Sequence, residues 1–352
     1  MVRVTVNGRN FELNELYQPL YGRPDKGKRA SDDRLSAILH ADEYYANRES
    51  IPGAEVLDFG CNVGYFSLSL ADAGAKVVGI DNYSAAIQVA NALAGTRANP
   101  RFVLGDLAAA LQQKFTTLLA LSVFHHVGGP PHFDWINWPK TVVDLITRAD
   151  FVYLELATWE EALASWAPRL KRNAGENPFI FYWRKLEESF PDYVVRLLDV
   201  FSTHIGTRRP LFFLKRKQKT ELAIEGKQYL VYDRFKESYW RKGAGTAEYY
   251  FAERGGKHYF LKYDQGKWKV SPKINGYNLW DLMRTGIIHY YNKKEIFEQY
   301  LDLFNAVPDP MPWNFMVDLS NLALVPIDLE GGIEANSKKL VWNLVKCFGG
   351  VK

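Results

Sequence analysis

From residue 55 onward, short apolar runs alternate with amphipathic stretches. "EVLDFG" is an apolar run ending in a turn residue, "GYFSLSLADAG" has helical spacing and stops at Gly74, and "KVVGID" is a second apolar run. "SAAIQVANALAG" reads as a helix closed by Gly95, "RFVLGD" as a strand, and "TLLALSVFHHV" as a strand with its exit loop. "TVVDLITRA" then reads as a helix and "DFVYLELA" as a strand. Strands alternating with helices predict an α/β fold, a mostly parallel sheet wound on both faces. Residues 1–50 are polar and broken up, turning helical after Ser31, with Ser31, Asp32 or Asp33 as the cap. Near residue 205 the texture changes to a basic, β-rich stretch, "GTRRPLFFLKRKQKTELAIEGKQYLVYDRF". A boundary is expected there, dividing the chain into 1–207 and 208–352.

Composition narrows the class. The 352 residues are enough for two cores, and 47% hydrophobic with 24% charged residues is globular usage. A net charge of +4 does not demand nucleic acid. Two cysteines in unrelated contexts, Cys61 and Cys347, argue against a disulfide framework and fit a reducing cytoplasm. "MVRVTVNGRNFEL" lacks a signal-peptide core, and no run approaches the roughly 18 apolar residues of a membrane span. The basic run 208–219 suits an anionic glycan, a phosphate or a membrane face, and the lysine-bearing apolar tail "NSKKLVWNLVKCFGGVK" suits the inner face of a membrane or a biosynthetic partner. A solvated surface and ordinary helix packing are the default expectations for both.

The glycines of "VLDFGCNVGYFSLSLADAGAKVVGID" do not fit a dinucleotide site. Aligning G-x-G-x-x-G on Gly60 puts Asp58 first and Val63 third. The pattern is instead an apolar strand, Asp58, Gly60 and Gly64, which resembles motif I of class I S-adenosylmethionine-dependent methyltransferases. Their ligand has no pyrophosphate, so a carboxylate at the turn is tolerable and can help orient the cationic amino-acid end. The glycines let backbone pass close to a ligand. Asp81 ends the next strand, where an acid grips ribose hydroxyls. The resemblance puts Asp106 at the adenine amino group, Asn62 on the donor loop, and "LSVFHH" at motif IV facing the methyl group. His125 and His126 are the candidates for a base or an acceptor-orienting donor. One of them packing in the sheet and only the other being wet is the plain alternative, as turn or helix capping is for each acid.

"ELYQPLYGRP", "SDDRLSAI", "LSVFHHV" and "VYLELA" carry a narrower resemblance, covering most of residues 12–210. They look like the bacterial O-antigen chain-terminating methyltransferase–kinases, which phosphorylate a polysaccharide end and methylate that phosphate. By that pattern Tyr17 and Arg34 lie over the donor or acceptor pocket. In the C-terminal part, "DPMPWNFMVD" spaces Asp309 and Asn314 as in a kinase catalytic loop. Asp309 would take the acceptor proton, Asn314 and Asp328 would hold magnesium, and Lys262 would pair the phosphates of ATP. The loop with Gly243 and Gly245 would cover them. The departures are a missing histidine before Asp309, D-L-E for D-F-G, and only 47 positions between Lys262 and Asp309, with the helix bearing the lysine's Glu partner deleted. Residues 215–352 therefore admit three readings: a compact phosphotransferase, a decayed kinase fold that binds sugar or a partner, or an unrelated small domain.

The expected protein is a Rossmann-like methyltransferase followed by a smaller α+β kinase-like domain. It is expected to methylate oxygen on a carbohydrate or sugar phosphate, with ATP-dependent phosphorylation attached where the second domain is active. The alternative is a methyltransferase for a small or lipid-linked acceptor, with the tail as a binding module. "SVFHH" offers no N-P-P-Y clamp for a base, so nucleic acid is not expected as a partner.

Overall fold

The computed structural model describes residues 1–23, 27, 29–127, 138–161, 177–235, 247–273, 276–291, 293–304, 312, 315–318 and 321–326. It opens with an antiparallel hairpin, β1 (Val2–Val6) and β2 (Arg9–Leu13). Asn7 and Gly8 turn it with φ of 50° and 77°, which suits the two-residue turn that needs positive φ twice. The expectation for residues 1–50 missed this hairpin, although Asn-Gly between alternating residues is its usual signal.

The wound sheet follows as expected, in the order α1 (Asp32–Tyr44), β3 (Glu55–Phe59), α2 (Tyr65–Asp72), β4 (Lys76–Asp81), α3 (Ser84–Ala94) and β5 (Arg101–Leu104). Next come α4 (Leu107–Leu111), β6 (Thr117–Leu121), α5 (Lys140–Ile146), β7 (Phe151–Glu155), α6 (Pro178–Ser189), β8 (Tyr193–Ser202) and β9 (Arg208–Arg216). The seven strands lie in the order β5-β4-β3-β6-β7-β9-β8. The first five are parallel, and β9 runs antiparallel to β7 and β8. Strand order reverses between β3 and β6, the crevice where wound sheets bind ligands. Ser31 takes the N-cap position of α1, but its hydroxyl accepts from Arg34 Nη2 at 2.7 Å rather than capping the helix.

The chain then forms an antiparallel meander: β10 (Thr220–Ile224), β11 (Lys227–Phe235), β12 (Glu248–Arg254), β13 (Lys257–Asp264) and β14 (Lys267–Pro272). It continues through β15 (Tyr277–Asn278), α7 (Leu279–Arg284), α8 (Lys293–Phe304), β16 (Phe315–Asp318) and β17 (Ala323–Pro326). The boundary expected after residue 207 needs correction. β9 is an interior strand of the first sheet, with Leu211, Phe212, Phe213 and Leu214 all fully buried. Burying each such side chain is worth roughly 1.5–3 kcal/mol, so β9 cannot be assigned to a second domain. Leu279, Met283, Phe297 and Phe315 also join one continuous core with Leu57, Phe179 and Phe212. The meander alone has its own small cores. The chain thus leaves the first body at β10 and returns to it at β15.

Arg196 of β8 fastens the meander to the body. Its guanidinium lies 4.6 Å from the Tyr45 ring centre and 4.4 Å from that of Phe235, and it donates to Asp233. Asp233 is buried, with Lys215 Nζ 3.4 Å away. Among the described residues, no helix is long and apolar enough to cross a membrane. Because removing one partner of a buried ion pair strands the other, Arg196→Ala is expected to cost about 2–4 kcal/mol in urea unfolding. A loss below about 0.5 kcal/mol would show that Lys215 alone neutralises Asp233.

Candidate active site

The loop after β3 is shaped by two close approaches. Gly60 has φ +80°, and a Cβ there would sit 2.6 Å from the Val123 side chain. Gly64 has φ +82°, and its Cβ would meet the Phe102 ring at 2.6 Å. Any larger residue is strained in its backbone and clashes. Between them Asn62 also takes positive φ, 50°. Asp81, at the end of β4, holds that conformation: Oδ2 accepts from the Asn62 N–H at 2.8 Å and Oδ1 from the Tyr83 N–H at 2.8 Å. The side-chain oxygen of Asn62 is buried without a hydrogen-bond partner among the described residues. A buried acceptor in that condition awaits a donor group.

Asp58 is buried beneath this loop. Burial pushes its carboxyl up to about 7, opposed by the Ser67 hydroxyl, which donates at 2.6 Å. Asp106 follows β5 and takes the N-cap position of α4. It is exposed, and its Oδ1 caps α4 by accepting from the Ala108 and Ala109 N–H groups at 3.0 and 3.3 Å. The capping alternative describes it.

A second cluster sits at the ends of β6, β7 and β9. Glu155 is fully buried where β7 ends. Arg29 donates to both its oxygens, at 2.5 and 2.9 Å, and Arg34 Nη1 lies 3.4 Å away. Burial would raise this carboxyl, but Arg29, Arg34 and Arg209 overcome it and hold it near 2. Ser122, at φ +57°, donates to Glu155 and accepts from Arg29 at 3.0 Å. Strained backbone of this kind gathers at functional sites. Arg209, on β9, is fork-paired to buried Glu161 at 2.7 and 2.6 Å. Three guanidiniums thus face two carboxylates. Among the described residues the Nε donors of Arg29 and Arg34 are buried without hydrogen-bond partners.

Of the expected residues, Tyr17 is on this cluster, its hydroxyl accepting from Arg29 at 3.1 Å. Arg34 backs Glu155 and lies 5.2 Å from the Phe66 ring centre, so it is part of the support of this cluster. The imidazoles of His125 and His126 are 4.0 Å apart. His125 is buried and His126 exposed, the one-packed, one-wet arrangement. Burial lowers His125 well below the usual imidazole range, and His126, Arg209 and Arg29 add to it. His126 is lowered by desolvation and Arg209, against the pull of Asp81 and Glu161. It therefore stands in the fields of both the donor loop and the arginine cluster.

The structure does not bring Lys262 to this site. It is buried on β13, opposite Tyr249 and Lys269. Asp309, Asn314, Asp328, Gly243 and Gly245 lie outside the described residues. Sequence reasoning missed Arg29, Ser122, Glu155 and Glu161 as site residues and had Arg209 only as a member of the basic run 208–219. One signal was present: Glu155 interrupts the apolar run "VYLELA" in a central strand, where an unpaired carboxylate is too costly.

A family profile described as a methyltransferase domain matches residues 29–198. The chain is 32% identical over 221 residues to the O-antigen chain terminator bifunctional methyltransferase/kinase WbdD of Escherichia coli, covering 58% of this chain and 28% of that protein. The matched stretch thus spans under a third of that relative's length. A ubiquinone biosynthesis O-methyltransferase of Hahella chejuensis is 34% identical over 93 residues, 25% of this chain and 39% of its own. The 2.2 Å crystal structure of WbdD superposes with a TM-score of 0.51 at 23% identity, over 97% of this chain and 85% of that one. The shared fold therefore runs through the meander and the segments after it.

Asp58 gives donor binding at this loop an expected pH dependence. Its folded pKa is raised, so its contribution to stability is full below the ordinary carboxylate range and is lost as pH rises through about 7. A cationic donor favours the ionised form. S-adenosylmethionine affinity, measured by calorimetry, is expected to tighten about tenfold from about pH 6 to about pH 8, and Asp58→Asn to flatten that rise. A flat profile in the unsubstituted chain would contradict the assignment.

Proposed function

We propose that the chain, whose residues 29–198 match a methyltransferase-domain profile, uses S-adenosylmethionine to methylate an anionic oxygen on a carbohydrate, of the kind a sugar phosphate presents. The observation that carries this reading is the buried surplus of guanidinium over carboxylate beside the donor loop. A surplus cation in low dielectric favours an anionic acceptor. The likeness to WbdD supports a surface-polysaccharide setting.

The residues divide the work. Gly60, Asn62, Gly64 and Asp81 hold the donor loop, and the unpartnered Asn62 oxygen fits a donor's amino or hydroxyl hydrogen. S-adenosylmethionine, when bound, supplies a methyl carbon on a cationic sulfur; the acceptor oxygen's lone pair takes it and the C–S electron pair stays on sulfur. Positioning is then the protein's main contribution. Arg29 and Arg209 hold the acceptor anion, and Glu155 and Glu161 fix where their forks point. His125 and His126, held neutral, orient an oxygen by hydrogen bonds without adding charge. A phosphate oxygen needs no base, so weakened imidazoles are no handicap.

Residues beyond β9 are read as a kinase-like unit coupled to this step, or as a module that binds the acceptor. The shared fold over 97% of the chain supports the kinase-like ancestry. The residues that would hold magnesium lie outside the described ones; calorimetry of the intact chain with ATP–magnesium separates the two readings.

The acceptor assignment is tested with Arg209→Gln combined with Glu161→Gln, which leaves no carboxylate stranded. Transfer of radiolabelled methyl to a phosphorylated sugar is expected to fall about 100-fold, with donor affinity within about threefold of the original. Retained transfer would remove Arg209 from the acceptor site.

A further inference from the structure

The hairpin between β8 and β9 carries its tip to the edge of the arginine cluster. Its turn is pinned twice: the Thr203 N–H donates to the Thr207 carbonyl at 2.7 Å, and the two threonine hydroxyls bond at 2.7 Å. Its strands are also anchored close to the turn. Asp199 pairs with Arg284 at 3.2 Å, and Arg208 donates to the Thr285 carbonyl at 3.0 Å. Gly286, at φ +70°, lies against that contact: a Cβ there would sit 2.9 Å from the Arg208 guanidinium. A tip so held is a fixed wall rather than a loose loop.

Two exposed side chains crown the wall. The His204 ring meets Tyr17 edge to face, with centres 5.7 Å apart. Tyr17 is tied to Arg29 through its hydroxyl, so His204 stands one ring away from the acceptor's anchoring guanidinium. Ile205, beside it, is 45% exposed, and few large apolar residues among the described ones are as open. An exposed imidazole packed edge-on against a tyrosine ring, with an exposed aliphatic residue next in sequence, offers the groups a sugar ring takes: apolar surface for its C–H groups, and imidazole and phenol for its hydroxyls.

We infer that Tyr17, His204 and Ile205 form a subsite for the saccharide residue next to the one that receives the methyl group, so that the protein prefers an oligosaccharide end over a single sugar phosphate. This rests on the carbohydrate reading above and deepens it. The basic cluster holds the charged end, and the wall reads the ring behind it.

The test compares a hexose phosphate with a trisaccharide phosphorylated at its non-reducing end. The unsubstituted chain is expected to prefer the trisaccharide, and His204→Ala with Ile205→Ala is expected to cut that preference, as a ratio of kcat/KM values, about tenfold. The change should lie in KM for the trisaccharide, with kcat held. Equal effects on both acceptors, or no effect, would overturn the subsite while leaving the carbohydrate reading standing. Methylation of neither acceptor by the unsubstituted chain, with donor binding intact, would overturn both.

Discussion

A carboxylate deep in the sheet, Glu155, must be ionised for this site to exist. Taken out of water alone it would cost several kcal/mol and prefer its proton. Arg29, Arg34 and Arg209 reverse that preference. The same pairing holds the arginines, because a guanidinium bonded through both nitrogens to one carboxylate has a fixed plane. The arrangement is therefore mutual. It gathers residues from the segment before α1, from α1 itself and from the ends of β7 and β9, and it fixes their relative positions before any ligand arrives.

The loop after β3 is built by other means. Gly60 and Gly64 place backbone where no Cβ fits, and Asp81 bonds the loop they form. Val123 links the two sides, since its side chain fills the space that a Cβ on Gly60 would need. The donor loop and the exit from β6 are thus packed together, with Ser122 and the two histidines flanking the contact. Positive φ at Asn62 and Ser122 marks both sides of the seam. The body supporting this seam includes β9 and the helices after the meander, which explains how a chain with two functional textures has one continuous core.

Sequence legibility followed the range of the interactions. The wound sheet and its close-approach glycines are local features, each readable within one strand, turn and helix. Asp106 shows the limit of local reading: an acid after a strand serves equally as a helix cap, and here it does so. Arg29 and Glu155 lie 126 positions apart, so no spacing rule joins them. Only the oddity of a charge inside an apolar strand pointed there. The boundary after residue 207 failed for a related reason. Arg208, Arg209, Lys215 and Arg216 make β9 look like surface, while Leu211–Leu214 between them fill the sheet. The hairpin at the N-terminus was legible from Asn7–Gly8 and was overlooked among polar neighbours.

The direct measurement is methyl transfer at saturating donor in Glu155→Gln, with donor affinity determined on the same preparation. An amide keeps the size and removes the charge that orders the arginines. Donor affinity is expected to stay within about threefold while transfer falls at least about 100-fold. Transfer that survives the substitution, or donor binding lost along with it, would contradict a site whose acceptor half is organised by that one buried charge.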